Sequence, residues 1–266
     1  MMNKTNNIYA ATKLICETYE NQCKDVSEVV ERWQTHKIKH TFQVCSEIMT
    51  IFYHEEKSYH EFSEEDKELV ELAAILHDLG RFYQHNKTKI LSHSEFEHGA
   101  VAVNLLKKNP LFNNPILLFA IGEHNHYQID YENPYYLQLS NKDKTTADII
   151  AKLLRDADKL DNIKQMVYNN AYYTGEKTVP ECLSEDIKVF LRQHKAISYI
   201  NGKIQYDNYT AAEKFIGHLS WINDIYFDYT KAIIRELKYV EFGLTKLKEW
   251  GVSDKDIAFL KEYLVI

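Results

Sequence analysis

The sequence predicts an all-helical protein, and three observations support this fold class. Apolar residues recur at i, i+3, i+4 and i+7 along nearly all of the chain, which is the spacing of one helix face. Only 8 glycines and 4 prolines occur in 266 residues, too few for a loop-rich or all-β fold. No internal repeat and no Pro/Gly/Ser-rich linker interrupts the chain. We therefore expect one domain over 1–266, large enough to bury a substantial core.

The apolar periodicity divides the chain into nine predicted helices. They span 8–33, 35–54, 64–79, 95–108, 114–125, 144–169, 184–196, 210–249 and 254–264. Ser63 and Ser253 each precede an acidic first turn, which is typical of helix N-caps. Between the helices we expect loops at 128–143 and 173–183 and a small hairpin over 198–206.

The last long helix predicts a core-packing face in the C-terminal part of the chain. Its apolar and aromatic residues follow the helical spacing over 210–249. They are Phe215, Leu219, Ile222, Tyr226, Tyr229, Ile233, Leu237 and Val240. We expect this face to stabilise the fold and to take no part in chemistry.

Charge and cysteine usage exclude several classes of partner. The net charge is −7 with the two signs interspersed, which gives no reason to expect a long nucleic acid or an anionic membrane as partner. The 4 cysteines are scattered without a CxxC pair, typical of reduced thiols in a cytosolic protein. The N-terminal stretch lacks the apolar run of a signal peptide, and no run of 18 apolar residues occurs. We expect a cytoplasmic protein, and the sequence indicates no oligomeric state.

Five of the predicted helices carry a His or Asp on a face that is otherwise apolar. Asp156 shares its face with Ile149, Leu153, Leu160, Ile163 and Val167. His77 and His124 each complete an apolar i, i+3, i+4, i+7 series. His98 and His40 also share faces with apolar neighbours.

Such residues are costly to bury unless they are hydrogen-bonded, paired or bound to metal. A single buried histidine is equally well explained by a hydrogen bond to the backbone, but five such residues on five helices favour one shared site. Imidazole and carboxylate donors together suit a divalent transition metal such as Mn, Fe, Co, Ni or Zn.

Three short segments carry a resemblance to a known family. They are KIKHT with His40, LHDLGRF with the doublet His77-Asp78, and RDADKLD with Asp156, in this order and each on its own predicted helix. This set is similar to the signature of the HD-domain superfamily of metal-dependent phosphohydrolases, over about residues 30–165. The resemblance implies an HD-domain-like helical bundle over about 30–170, followed by a helical C-terminal extension over about 171–266.

The resemblance also implies a site with two metal ions. His98 in EHGAVAV and His124 in GEHNH lie between the doublet and the last aspartate, as the additional histidines of the two-metal branches do. The first ion would be held by His40, His77, Asp78 and Asp156, and the second by Asp78, His98 and His124. Asp78 would bridge the ions. Arg81 replaces the glutamate that one nucleotidase branch has, and the GYP signature of the cyclic-dinucleotide phosphodiesterases is absent.

The predicted chemistry is hydrolysis of a small phosphate ester, such as a nucleotide, by metal-activated water. Besides Asp78, we assign catalytic roles to two cations. Arg81 has the planar fork that suits a phosphate. Lys159 would bind phosphate or pair with Asp156. Asp158 is expected to be solvated or paired with a basic neighbour.

Two other functions remain open at this point. Some two-metal HD proteins are di-iron oxygenases, so the same ligand set would also suit an oxygenase. A nucleotide-binding module without turnover is a further alternative, although the complete ligand set speaks against it.

Overall fold

The computed structural model describes residues 4–55, 62–91, 96–169, 177–197 and 209–266. Within these ranges the fold is all-α, with twelve α-helices, two 3-10 helices and no strand, so the predicted fold class is confirmed. The chain forms two compact units, Met1–Asp158 and Lys159–Ile266, and the boundary falls inside a helix. The single domain expected over 1–266 stays a prediction. Among the described residues, no helix is both long enough and apolar enough to cross a membrane.

The first unit contains seven α-helices, the last of which continues past the boundary. They are α1 (Lys4–Gln22), α2 (Glu28–Glu55), α3 (Glu64–Leu76), α4 (His98–Leu106), α5 (Pro115–Glu123), α6 (Pro134–Leu137) and α7 (Asn141–Asn169), with a 3-10 helix at Leu79–Tyr83. Helix α3 packs against both α1 and α2, and α4 packs against α5 and the 3-10 helix. The core of this unit includes fully buried Val44, Leu76 and Phe119.

The second unit contains five further α-helices among its described residues. They are α8 (Glu185–Arg192), α9 (Ala211–Leu219), α10 (Asp228–Glu236), α11 (Tyr239–Trp250) and α12 (Asp254–Tyr263), with a 3-10 helix at Ser220–Asp224. Helix α11 packs against α9, α10 and α12. The predicted hairpin over 198–206 lies outside the described residues.

Several helix starts have the caps that the sequence predicts. The Ser63 side chain accepts a hydrogen bond from the Asp66 backbone N–H at 3.1 Å, and the Asp66 carboxylate accepts one from the Ser63 backbone N–H at 2.9 Å. This reciprocal pair satisfies two N–H groups that the first helical turn leaves without partners. The Ser253 side chain caps α12 by accepting from the Asp256 backbone N–H at 3.1 Å.

The first predicted helix break is wrong. Asp25 adopts a left-handed backbone conformation with φ of 55°, and the chain turns there instead of at residue 34. Helix α2 then runs without interruption over Glu28–Glu55. A left-handed aspartate is sterically tolerated, but nothing in the apolar spacing marks it.

The predicted single helix over 210–249 is also wrong. The chain leaves helical geometry at Ile225, which is extended with φ −112° and ψ 126°, and again at Lys238, which is left-handed with φ 49°. These breaks change the buried face. Phe215, Leu219 and Ile222 are buried as predicted. Beyond Ile225, Tyr226, Tyr229, Ile233, Leu237 and Val240 are only partly buried, whereas Ile234 and Tyr239 are fully buried.

The predicted loop over 128–143 is partly helical. The short helix α6 lies inside it, at Pro134–Leu137, and α7 begins at Asn141. Asn133 caps α6 by accepting a hydrogen bond from the Tyr135 backbone N–H at 2.9 Å. An Asn-Pro pair is a helix-start signal that the wider polar composition of this segment obscured.

Candidate metal centre

The doublet His77-Asp78 lies where α3 ends and the 3-10 helix begins. His77 and Asp78 are 0% and 2% exposed, so both side chains point into the unit. Gly80 follows, and a side chain there would collide with the backbone carbonyl of His98. The glycine therefore lets the end of α3 approach the start of α4 closely, which brings the doublet and His98 together.

The two oxygens of the Asp78 carboxylate face two different pairs of histidines. Oδ2 lies 3.7 Å from Nε2 of His40 and 3.7 Å from Nε2 of His77. Oδ1 lies 3.6 Å from Nε2 of His98 and 3.7 Å from Nε2 of His124. We call the set His40, His77 and Asp78 the first group, and the set Asp78, His98 and His124 the second group. All five side chains are buried.

Backbone carbonyls orient two of the four rings. Nδ1 of His77 lies 2.8 Å from the Ala74 carbonyl, and Nδ1 of His124 lies 2.6 Å from the Ile121 carbonyl. Because a carbonyl only accepts, each Nδ1 carries a proton, and in a neutral ring the Nε2 that faces Asp78 is then the atom able to bind a cation. Such carbonyl contacts commonly fix the orientation of metal-binding histidines.

The protonation of this cluster fits a metal ion. Burial lowers the pKa of His77 to about 4, so the ring is neutral at pH 7. Its Nε2 is buried and makes no hydrogen bond with any described residue. Nε2 of His98 and Nε2 of His124 are 3.1 Å apart, a distance at which two ring nitrogens can share one proton or one cation. Neutral imidazoles around a carboxylate are a donor set for divalent transition metals.

The Asp78 carboxylate is held in its ionised form. Burial alone would raise its pKa, but the positive charges of Lys37 and Arg81 hold the pKa of Asp78 well below its usual range. Lys37 Nζ lies 3.2 Å from Oδ2, and Arg81 Nε lies 3.4 Å from Oδ1. One cation therefore flanks each oxygen of the carboxylate.

Lys37 was not among the site residues predicted from the sequence. A usable signal was present, because Lys37 lies three residues before His40 and therefore on the same side of α2.

The geometry favours Asp158 over the predicted Asp156 as the last aspartate of the site. Asp158 Oδ1 lies 3.0 Å from His40 Nε2, so Asp158 contacts a histidine of the first group. Burial would raise the pKa of Asp158, but His40 and His77 hold it below its usual range. Asp156 is fully buried, yet among the described residues it belongs to neither metal-binding group.

The physical reason is helical geometry. Two residues of an α-helix separated by one other lie about 200° apart around the axis. Only one of Asp156 and Asp158 can therefore face His40. The apolar face of α7 led to the choice of Asp156, whereas the aspartate that meets the first group lies on the opposite side of the helix, with a side chain 24% exposed.

The two predicted phosphate-binding cations have different partners. Arg81 lies beside Asp78, and its Nη1 also donates to Oε1 of Gln84 at 2.7 Å. Lys159 belongs to the second unit and forms an ion pair with Asp224, with 2.8 Å between Nζ and Oδ2. Because a carboxylate of its own unit balances its charge, this contact speaks against the predicted role of Lys159.

Arg155 shapes the turn that carries His124, and sequence analysis did not single it out. Its side chain is 1% exposed. Nη1 donates to the carbonyls of Glu123 at 2.8 Å and His126 at 2.6 Å, and Nη2 donates to the carbonyl of Tyr127 at 3.3 Å. These carbonyls lie at and just beyond the end of α5, where the helix supplies few partners of its own, so the guanidinium adds hydrogen bonds there.

Glu123 ties the same turn to the following loop. Its side chain is fully buried and accepts hydrogen bonds from the Asp130 backbone N–H at 2.8 Å and the Asn133 amide at 2.7 Å. His126 Nδ1 lies 2.9 Å from the same carboxylate, and this contact raises the pKa of His126. The histidine two residues after His124 therefore supports the turn.

Comparison with known proteins agrees with this geometry. Residues 38–163 match the family model for the HD domain. The chain carries an HD domain. The matched segment contains all five buried ligand candidates and Asp158, so the family resemblance predicted over about 30–165 is confirmed. An HD domain suggests the superfamily of metal-dependent phosphohydrolases, and the clustered His and Asp residues of this segment could bind metal. No curated protein and no solved structure matched the chain.

Proposed function

We propose that this HD protein is a two-metal phosphohydrolase acting on a small phosphate ester, such as a nucleotide. The observation that carries the proposal is the Asp78 carboxylate, whose two oxygens each face a separate pair of histidine Nε2 atoms at 3.6–3.7 Å. A carboxylate shared in this way is the arrangement expected of a residue that bridges two cations.

The two groups offer different numbers of ligands. The first group would hold one ion through His40, His77 and Asp78, and Asp158 is close enough to His40 to serve as a fourth ligand. The second group would hold the other ion through Asp78, His98 and His124. Three protein ligands leave a coordination position for water or substrate, as catalytic sites require. Two bound divalent ions would lower the pKa of a shared water towards ~7 and balance the charge that develops on the phosphoryl group.

The chain's own residues prepare the site for this chemistry. The low pKa of Asp78 keeps its carboxylate ionised at neutral pH, so no proton has to leave before a cation is bound. The carbonyl contacts of His77 and His124 keep each Nε2 directed at that carboxylate. Arg81 adds a positive charge beside Oδ1, where it can bind a phosphate oxygen.

Metal analysis together with a hydrolysis assay tests the proposal. Protein purified without a tag should contain about two divalent ions per chain, drawn from Mn, Fe, Co, Ni or Zn. It should hydrolyse p-nitrophenyl phosphate, its bis-ester or a member of a set of phosphorylated metabolites. The double variant His98→Ala/His124→Ala should hold about one ion, because it keeps the first group.

The alternatives predict other results. Obligate dependence on iron together with oxygen consumption would indicate an oxygenase. Tight nucleotide binding without product would indicate a binding module. Unchanged metal content in the double variant would show that His98 and His124 are structural.

A further inference from the structure

Lys37 contacts the carboxylate oxygen that the first group needs. Its Nζ lies 3.2 Å from Oδ2 of Asp78, the oxygen that also faces His40 and His77. The Lys37 side chain is 12% exposed, and Asp78 is its one polar partner among the described residues. The Lys37 ammonium and an ion held by the first group would therefore both bind Oδ2 of Asp78.

The two cations cannot share Oδ2 without strong repulsion. Both would lie within a few ångströms of one oxygen, in a site where Asp78 is 2% exposed and solvent screens charges poorly. When the first group binds a divalent ion, this repulsion weakens the Lys37 contact and favours movement of the ammonium away from Oδ2. Lysine can do this because its charge sits on a flexible four-carbon stem.

Arg81 is less able to move, although it flanks the other oxygen. Its Nη1 donates to Gln84 at 2.7 Å, and Gln84 in turn donates to the Leu91 carbonyl at 2.7 Å. Gln84 is 2% exposed, so this chain of hydrogen bonds anchors the guanidinium. Of the two cations beside Asp78, Lys37 is the one that can change partner.

A displaced ammonium at the edge of the site needs an anion, and the substrate of the proposed function supplies a phosphate. We propose that Lys37 is a phosphate-binding residue of this site, and that it exchanges the Asp78 carboxylate for the substrate phosphate when the first group binds its ion. The inference rests on the proposed function. It adds a substrate-binding residue and a competition between Lys37 and metal that the metal ligands alone do not imply.

The test compares Lys37→Met with Lys39→Met in the full chain. Lys39 lies two residues further along α2 and therefore about 200° around the helix from Lys37, and its replacement removes the same charge from the same element. Calorimetric titration with Mn²⁺ measures metal affinity without any assay of activity. Titration of the Mn²⁺-loaded protein with inorganic phosphate measures anion binding.

Lys37→Met should bind one of the two Mn²⁺ ions about tenfold more tightly, because the competing ammonium is gone. It should bind phosphate about tenfold more weakly, because a charge-assisted hydrogen bond is lost. Lys37→Arg should retain phosphate binding. Lys39→Met should match the wild type within about twofold in both titrations, since its charge lies on another side of the helix.

The outcomes separate this inference from the proposed function. If the wild type binds two Mn²⁺ ions and Lys37→Met matches Lys39→Met in either titration, the inference is overturned and the two-metal site stands. If the wild type binds none of the candidate divalent metals, the proposed function itself fails. Circular dichroism melts of all variants identify any that has lost its fold, and Lys37→Arg keeps the test decisive if Lys37→Met has.

Discussion

The two units of the chain treat buried polar side chains differently. In the first unit, imidazoles from α2, α4 and the ends of α3 and α5 all face one carboxylate, Asp78. In the second unit, the buried carboxylates of Glu213 and Asp256 are partnered by hydroxyl and backbone N–H groups of the residue before each helix. Glu213 accepts from the Thr210 hydroxyl at 2.9 Å and backbone N–H at 3.0 Å, and Asp256 accepts from the Ser253 hydroxyl at 2.8 Å.

This difference shows how a buried carboxylate of a metal-binding site can be distinguished from one that belongs to a helix cap. A buried carboxylate at the third position of a helix, partnered by the residue before that helix, satisfies the helix end and needs no ligand. A buried carboxylate that meets four imidazoles from four different elements has no such role, because the Asp78 side chain makes no capping hydrogen bond to the 3-10 helix that follows it. Convergence of titratable groups from distant parts of the chain is therefore the informative feature, and burial alone is not.

The largest expected effect comes from removing the residue that the two groups share. Asp78→Ala should reduce the metal content from about two ions per chain to nearly none and abolish hydrolysis, because both groups lose their carboxylate. The matched change in the second unit, Glu213→Ala, should leave the metal content unchanged. Elemental analysis of both variants checks this contrast. Retention of both ions by Asp78→Ala would contradict the shared site.

The next effect distinguishes Asp156 from Asp158 in α7. Asp158→Asn should weaken or empty the first group, because Asp158 lies 3.0 Å from His40. Asp156→Asn removes an equal charge from the same helix and should keep both ions. Metal content measured after dialysis against a weak chelator would rank the two variants. The opposite ranking would restore Asp156 as the ligand.

A smaller effect concerns acid stability in the second unit. Burial lowers the pKa of His218 to about 4. The pKa of a histidine in an unfolded chain is about 6.5. Between that pH and the folded-state pKa, His218 is protonated in the unfolded chain and neutral in the folded chain. Stability contributed by His218 is therefore lost as the pH falls through this window, by roughly 1 to 3 kcal/mol in total.

The variant His218→Gln isolates this contribution. Its free energy of unfolding should fall less steeply than that of the wild type between about pH 6.5 and 4, since glutamine does not titrate. Urea unfolding at several pH values measures the free energy of unfolding of the wild type and of the variant. The difference between the two at each pH cancels any effect that the metal ions have on both proteins. Parallel pH profiles would show that His218 is protonated equally easily in the folded and unfolded states.

The smallest effect is expected at the helix caps. Thr210→Ala removes the side-chain acceptor at the start of α9, and Ser63→Ala does the same at the start of α3. Each should lower the free energy of unfolding by about 1 kcal/mol and leave the metal content at two ions. Denaturant unfolding and elemental analysis measure the two quantities. Loss of metal from Thr210→Ala would contradict the expectation that the cap of α9 does not affect metal binding.

Local periodicity was enough to predict much of the first unit. The helical spacing of apolar residues is a property of consecutive residues, so it predicted the all-α class without any knowledge of the fold. The same spacing singled out His40, His77, His98 and His124 as polar residues on buried faces, and the structure brings all four around Asp78. The family resemblance over 38–163 then explained why these faces meet.

What the sequence by itself determined was therefore the helical class and the polar residues on its apolar faces, because both depend on neighbours within one or two turns. Only the tertiary structure decided which polar groups meet. It brought Asp158 to His40, Lys37 to Asp78 and Lys159 to Asp224. It also decided the chain reversals at Asp25 and Lys238, where non-glycine residues adopt left-handed conformations. Periodicity does not reveal contacts between side chains that lie far apart in the sequence. It also does not reveal left-handed backbone conformations, because several residue types tolerate them at small cost.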